Sequence, residues 1–106
     1  MIRHVVLWKL KPEATATEEI YQKNMAQIRE NHRVLKQAVP QIRKMTVAEG
    51  VNTGKDFYEF GAFMDFDSLE DLAIFQKSDA HKDPTAKAFC ESVRACKAVI
   101  DFEFEP

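Results

Sequence analysis

The stretch Ile2-Arg3-His4-Val5-Val6-Leu7-Trp8-Lys9-Leu10 alternates strictly, with Ile2, His4, Val6, Trp8 and Leu10 on one face and Arg3, Val5, Leu7 and Lys9 on the other. That period of two predicts a strand. Lys11-Pro12 breaks it, and Thr15 followed by Glu18 has the form of a capping box. Tyr21, Met25, Ile28, His32, Leu35 and Val39 then keep helical spacing until Pro40 ends the run.

Outward from this strand–helix unit the pattern repeats with strands doubled. Residues 42–49 and 57–66 read as two strands joined by a loop from Gly50 to Asp56 that is rich in Gly, Asn and Asp. Asp67-Ser68 caps a short helix carrying Leu69, Leu72 and Phe75, and Ser78 to Asp83 reads as a loop. Asp83-Pro84 opens another helix with Ala86, Phe89, Cys90 and Val93 inward, and residues 97–104 form a last strand. The order βαββαβ predicts an α+β, ferredoxin-like domain over residues 1–106, with strands 1 and 3 central in a four-stranded antiparallel sheet.

Alternation assigns Tyr58, Phe60, Ala62, Met64, Phe66, Ala98, Ile100, Phe102 and Phe104 to the helix-covered face with Ile2, His4 and Trp8. The open face is expected to carry Val5, Leu7, Met45, Val47, Phe57, Phe63 and Val99. Its charges would be Arg3, Lys9, Arg43, Glu59, Asp65, Asp101 and Glu103. Such an apolar centre predicts a second copy of the chain packed sheet to sheet. Basic residues on strands 1 and 2 and acidic ones on strands 3 and 4 would let a two-fold axis pair opposite signs.

Composition narrows the function. The formal charge is −2, but residues 1–53 carry nine Lys/Arg against five Asp/Glu, and residues 54–106 six against twelve. Neither nucleic acid nor a membrane surface is an expected partner of such a chain. Ala62-Phe63-Met64-Asp65-Phe66 matches the tail of an RNA-recognition pattern, yet Glu59-Phe60-Gly61 replaces its basic residue, glycine and first aromatic. No apolar run suits a bilayer or a signal peptide, so a cytoplasmic location is expected. Cys90 and Cys96 lack CxxC spacing and read as reduced, packed thiols. Neither a Gly-rich phosphate loop nor HxH or HExxH spacing occurs, and neither a cofactor nor a metal is expected.

Four segments resemble the stress-responsive dimeric α/β-barrel (Dabb) family. They are Arg3-His4-Val5-Val6-Leu7-Trp8-Lys9-Leu10, Phe66-Asp67-Ser68-Leu69-Glu70, Ser78-Asp79-Ala80-His81 and Val99-Ile100-Asp101-Phe102-Glu103. The resemblance implies a ferredoxin-like monomer that forms a dimeric α+β barrel. One plant member is a cofactor-free polyketide cyclase with a pocket between sheet and helices. It also implies roles for His4 and for His81, which matches the second histidine of a His-Pro-x-His turn. Ser78 and Asp79 depart from that turn, and Phe60 and Phe75 stand where the cyclase has a histidine and a tyrosine.

Two functional readings follow. In one, the chain binds a small apolar or aromatic molecule within each monomer as a cofactor-independent lyase or cyclase. His81 would then be the general base, His4 would position the substrate, and Trp8, Tyr58, Phe60, Phe75 and Phe89 would line the pocket. In the other, it is a non-catalytic, stress-associated binding or structural homodimer, and these aromatics simply fill the core.

Overall fold

In the computed structural model, which describes residues 1–106, the alternating opening segment is strand β1 (Ile2–Leu10). Pro12 starts a single 3-10 turn, Pro12–Ala14, which Thr15 closes. The helix cap therefore falls on Thr17 rather than Thr15, and the Thr17 hydroxyl accepts from the Ile20 amide at 3.1 Å. Helix α1 (Glu18–Ala38) buries Met25, Ile28 and His32. The chain reaches β2 (Lys44–Glu49) through Val39 and Ile42, both buried.

Strand β3 (Phe60–Phe66) begins later than the sequence pattern predicts, because residues 51–59 form a loop in which Phe57 stays exposed. Gly50 closes that loop: a Cβ there would lie 2.3 Å from the Tyr58 carbonyl oxygen, so no larger residue fits. Helix α2 (Leu69–Lys77) is capped by Ser68 and helix α3 (Pro84–Val93) by Asp83, whose side chains accept from the Asp71 and Ala86 amides. Strand β4 (Arg94–Glu103) follows α3 directly.

The sheet is antiparallel with order β2-β3-β1-β4, so the two central strands are β1 and β3, as the βαββαβ order requires. Directly opposed residues share a face. Ile2, His4, Val6 and Trp8 stand opposite Phe66, Met64, Ala62 and Phe60, and this face packs on Met25, Ile28, Leu72 and Phe75 of the helices.

Both edge strands present the opposite faces from those expected. In β4, Trp8 pairs with Lys97, Val6 with Val99 and His4 with Asp101. Lys97, Val99, Asp101 and Glu103 therefore lie on the helix side, and Ala98, Ile100 and Phe102 on the open side. In β2, Met45, Val47 and Glu49 oppose Met64, Ala62 and Phe60, and Met45 and Val47 pack against the core. Alternation fixes which residues share a face but not which face is covered; only pairing with β1 and β3 decides that.

The charge argument for a two-fold axis changes with it. Asp101 and Glu103 leave the open face, and Lys44 rather than Arg43 lies on it. Asp65 is bound within its own chain by Arg3, at 2.7 and 3.0 Å. The open face exchanges apolar residues: Met45, Val47 and Val99 leave it, and Ala98, Ile100 and Phe102 join Val5, Leu7 and Phe63 there.

Candidate functional site

His4 projects from the middle of β1 onto the helix side, and its register partner on β4 is Asp101. Nδ1 of His4 is hydrogen-bonded to the Asp101 carboxylate. A carboxylate only accepts, so Nδ1 carries a proton and Nε2 is the ring nitrogen left outside the pair. That nitrogen has no partner within the protein, while no buried side-chain nitrogen or oxygen lacks one. Nε2 of His4 is therefore not completely buried, although the residue is only 7 % exposed. Val99, on the same face of the neighbouring edge strand β4, is 49 % exposed.

Phe75, from α2, packs edge-on to His4 at 5.9 Å and tilted on His81 at 4.6 Å between ring centroids. The two histidines thus flank one phenyl ring on the same side of the sheet. Ser78 holds the His81 turn by accepting from the His81 amide at 3.2 Å and donating to the Phe75 carbonyl at 2.7 Å. Burial of the ring lowers the His81 pKa, and the nearby charges of His4, Lys97 and Lys82 lower it further. The Gln76 carbonyl acts in the opposite direction. At neutral pH His81 is an uncharged imidazole.

The other residues considered from the sequence divide between this cluster and the core. Trp8 and Phe60 are 5.5 Å apart and both stack with His32, at 5.6 and 5.1 Å, in a separate buried group. Phe89 is half-buried and packs against the core, and Tyr58 lies in the loop before β3. Of the five aromatics, Phe75 is the one in contact with both His4 and His81. His32 donates from Nδ1 to the Ile28 carbonyl at 2.8 Å, and burial lowers its pKa. Unlike His4 it has no carboxylate to stabilise an imidazolium.

Asp101 is the residue that sequence reasoning left out of the site. Its signal was present in His4, a polar group on a buried face that needs a partner; finding the partner required the β1–β4 register.

A concavity of about 510 Å³ lies elsewhere, between the start of α1 and the β2–β3 loop. Lys9, Glu59 and Tyr21 are already engaged there, while Lys55 makes no ion pair. Lys9 donates to the Gly54 and Phe57 carbonyls at 2.6 and 2.5 Å and sits 3.7 Å from Glu59. Tyr21 donates to Glu49 at 3.0 Å, and burial together with that carboxylate pushes its pKa up to about 12. No group of three His, Cys, Asp or Glu side chains comes together as a metal site, and no helix is long and apolar enough to cross a membrane.

No curated protein matches the chain. Solved structures do. A dimeric protein of unknown function with a ferredoxin-like fold from Bacteroides fragilis is 24 % identical, over 97 % of this chain and 95 % of its own, with a TM-score of 0.79. A dimeric ferredoxin-like protein of unknown function from Thermobifida fusca is 19 % identical, over 97 % and 90 % of the two chains, with a TM-score of 0.75. The hydroxynitrile lyase from Passiflora edulis is 20 % identical, over 99 % and 96 %, with a TM-score of 0.76. At these identities the likeness establishes the ferredoxin-like fold. The model of the stress responsive A/B barrel domain matches residues 2–104, and the chain belongs to that family, Dabb.

Proposed function

We propose that the chain is a homodimeric, cofactor-independent proton-transfer enzyme of lyase type, acting on a small molecule with an apolar or aromatic body. The observation that carries this reading is the His4–Asp101 pair, with Nε2 of His4 outside the pair and without a partner in the protein. A base in this setting takes a proton from a hydroxyl or an activated C–H, and the adjacent carboxylate stabilises the imidazolium that forms. In a hydroxynitrile-like cleavage, the hydroxyl proton goes to Nε2 and the carbonyl forms as the carbon–carbon bond breaks. The leaving group departs with the bonding pair and then takes the proton back.

The base role passes from His81, where the sequence alone placed it, to His4. His81 has a lowered pKa and no carboxylate partner, which suits an uncharged hydrogen-bonding group better than a base. The hydroxynitrile lyase among the structural neighbours supports lyase chemistry on this fold. Dimerisation through the open sheet face is supported by the apolar set Val5, Leu7, Phe63, Ile100 and Phe102 and by the dimeric state of the Bacteroides and Thermobifida proteins.

The test is turnover of α-hydroxynitriles such as mandelonitrile, and of aromatic polyketide-like acyl compounds, by wild type, His4→Gln, Asp101→Asn and His81→Gln. We expect His4→Gln to lower the rate by about 100-fold or more, with a smaller loss for His81→Gln. A wild-type rate that survives His4→Gln would remove His4 as the base. The second reading, a binding protein without turnover, is favoured by Phe75, which fills the space between the two imidazoles. It predicts ligand-induced shifts of both histidines without product.

A further inference from the structure

The concavity between the start of α1 and the β2–β3 loop shares no lining residue with the cluster of His4, Asp101 and His81, and its walls are tied by the chain itself. On the loop side, Lys9 grips the Gly54 and Phe57 carbonyls, and the Gly50 amide donates to the Glu59 carbonyl at 2.9 Å. The Phe57 amide donates to the Gly54 carbonyl at 3.1 Å. On the helix side, Thr17 caps α1, and Asn24 donates to the Ala14 carbonyl at 2.9 Å, which ties the 3-10 turn to the helix. Walls held in this way keep their shape, so a ligand has little chain to order on entry. The volume of about 510 Å³ lies within the span of small-molecule sites, about 300–1,000 Å³.

The lining decides the class of ligand. Small-molecule sites are ordinarily lined by apolar side chains, but here Tyr21 is the only hydrophobic residue among eleven, so an apolar body has no surface to cover. Ions of either sign are not favoured, because Lys9 and Lys55 face Glu18 and Glu59, two charges against two. The wall offers hydrogen bonding of both kinds instead. The side chains of Asn52 and Thr53 form no hydrogen bond within the chain, and each can donate and accept. Thr17 Oγ1 accepts from the Ile20 amide and keeps its proton to donate. Glu18 uses one oxygen on Gln22 at 2.7 Å and has the other to accept with. A hydroxyl group both donates and accepts, so several hydroxyls on a small frame match this set without bringing charge or needing an apolar floor.

We propose that this hollow is a second binding site, for a neutral polyhydroxylated molecule, a sugar of one or two rings, held by Asn52 and Thr53 on the loop and by Thr17 and Glu18 on α1. It stands apart from the chemistry at His4. Neither histidine takes part in it, and the sugar is a ligand here rather than the substrate of that chemistry.

The test titrates the full chain with glucose and maltose, and separately with inorganic phosphate and glycine betaine as an anion and a zwitterion, while backbone amide signals are followed by NMR. The sugars are expected to give saturable shifts at Thr17, Glu18, Asn52 and Thr53, with a Kd of about 1–10 mM, and none at His4 or His81. Asn52 and Thr53 are exposed loop residues, so Asn52→Ala and Thr53→Val leave the fold intact. Each should raise the Kd about threefold to tenfold, the loss of one or two hydrogen bonds. Because the ligand carries no charge, raising the ionic strength from about 0.01 M to about 0.15 M should leave the sugar Kd unchanged. Shifts that grow linearly with sugar and never saturate would overturn the proposal. So would saturable shifts whose Kd is the same in both variants as in wild type. Tighter binding of phosphate or betaine than of either sugar would make the hollow an ion site and overturn the assignment of its ligand.

Discussion

Two neighbouring residues on β4, Val99 and Ile100, face opposite sides of the sheet, and replacing each in turn by lysine separates the interface from the helix side. Ile100 is 59 % exposed in the monomer, so Ile100→Lys leaves the core of a single chain untouched. Full burial of an isoleucine side chain is worth about 1.5–3 kcal/mol, so covering the exposed part of Ile100 contributes about 1–2 kcal/mol. A two-fold axis uses each residue twice, which makes about 2–4 kcal/mol per dimer, before the cost of burying a lysine charge. That corresponds to a dimer Kd raised about thirtyfold to several-hundredfold. Sedimentation velocity over a concentration series reads the Kd, and circular dichroism confirms that the monomer stays folded. Val99→Lys, on the His4 side, should keep the wild-type Kd. An unchanged Kd for Ile100→Lys, or a loss of dimer in Val99→Lys instead, would refute the assignment of the open face as the interface.

Phe75 is 1 % exposed and touches His4, Phe66 and His81, so Phe75→Ala should cost about 3–5 kcal/mol. That would lower the thermal midpoint by more than about 10 °C; a loss below about 1 kcal/mol would show that the ring is not a packing element. His32 gives a pH dependence with a definite sign. Burial lowers its pKa in the folded state, so the unfolded chain, with its histidine near 6.5, takes up the proton first. Above that pH both states are neutral and His32 contributes no slope. As pH falls below it, stability is lost until the folded-state pKa is reached. Urea denaturation midpoints should therefore fall through that window in wild type and fall less in His32→Phe, whose ring suits the Trp8–Phe60 stack. Equal slopes in the two proteins would refute this assignment.

What could be read from the sequence follows from where each signal is unambiguous. The face of β1 was legible because it holds Trp8 and Ile2 against Arg3 and Lys9, and its neighbour β3 holds Phe60 and Met64 against Asp65. At the edges the residues are mixed. In β4 the apolar set Ala98, Ile100 and Phe102 looks like a core face, but an apolar set can equally belong to a surface that meets a second sheet. In β2, Met45 and Val47 alternate with Thr46 and Ala48, a weak contrast, and the pairing with Met64 and Ala62 decides it. The two histidines of the candidate site could be named from the sequence through its resemblance to the Dabb family. Asp101 could not, since it joins His4 across 97 residues of chain, and a shift of one position in β4 would have put Ile100 in its place.

The same register therefore sets both surfaces. Sliding β4 by one residue against β1 would bring Ile100 or Phe102 next to His4 and carry Asp101 to the open face. The dyad would be lost, and a carboxylate would stand in the apolar patch. The observed pairing avoids both, and it is fixed over the run from Ile2–Glu103 to Lys9–Cys96, with the irregularity confined to the Lys9–Leu10 end. His4 with Asp101 thus contributes more than a potential base. A polar pair on the helix side disfavours the slipped register, because the slip would leave a buried imidazole without its partner. His4→Phe makes this testable apart from any activity. If the pair helps set the register, hydrogen exchange in β4 should speed up in His4→Phe while the β2–β3 pairing stays protected, even though phenylalanine is the more apolar residue. Unchanged protection along β4 would show that the backbone ladder and the open-face side chains hold the register without it.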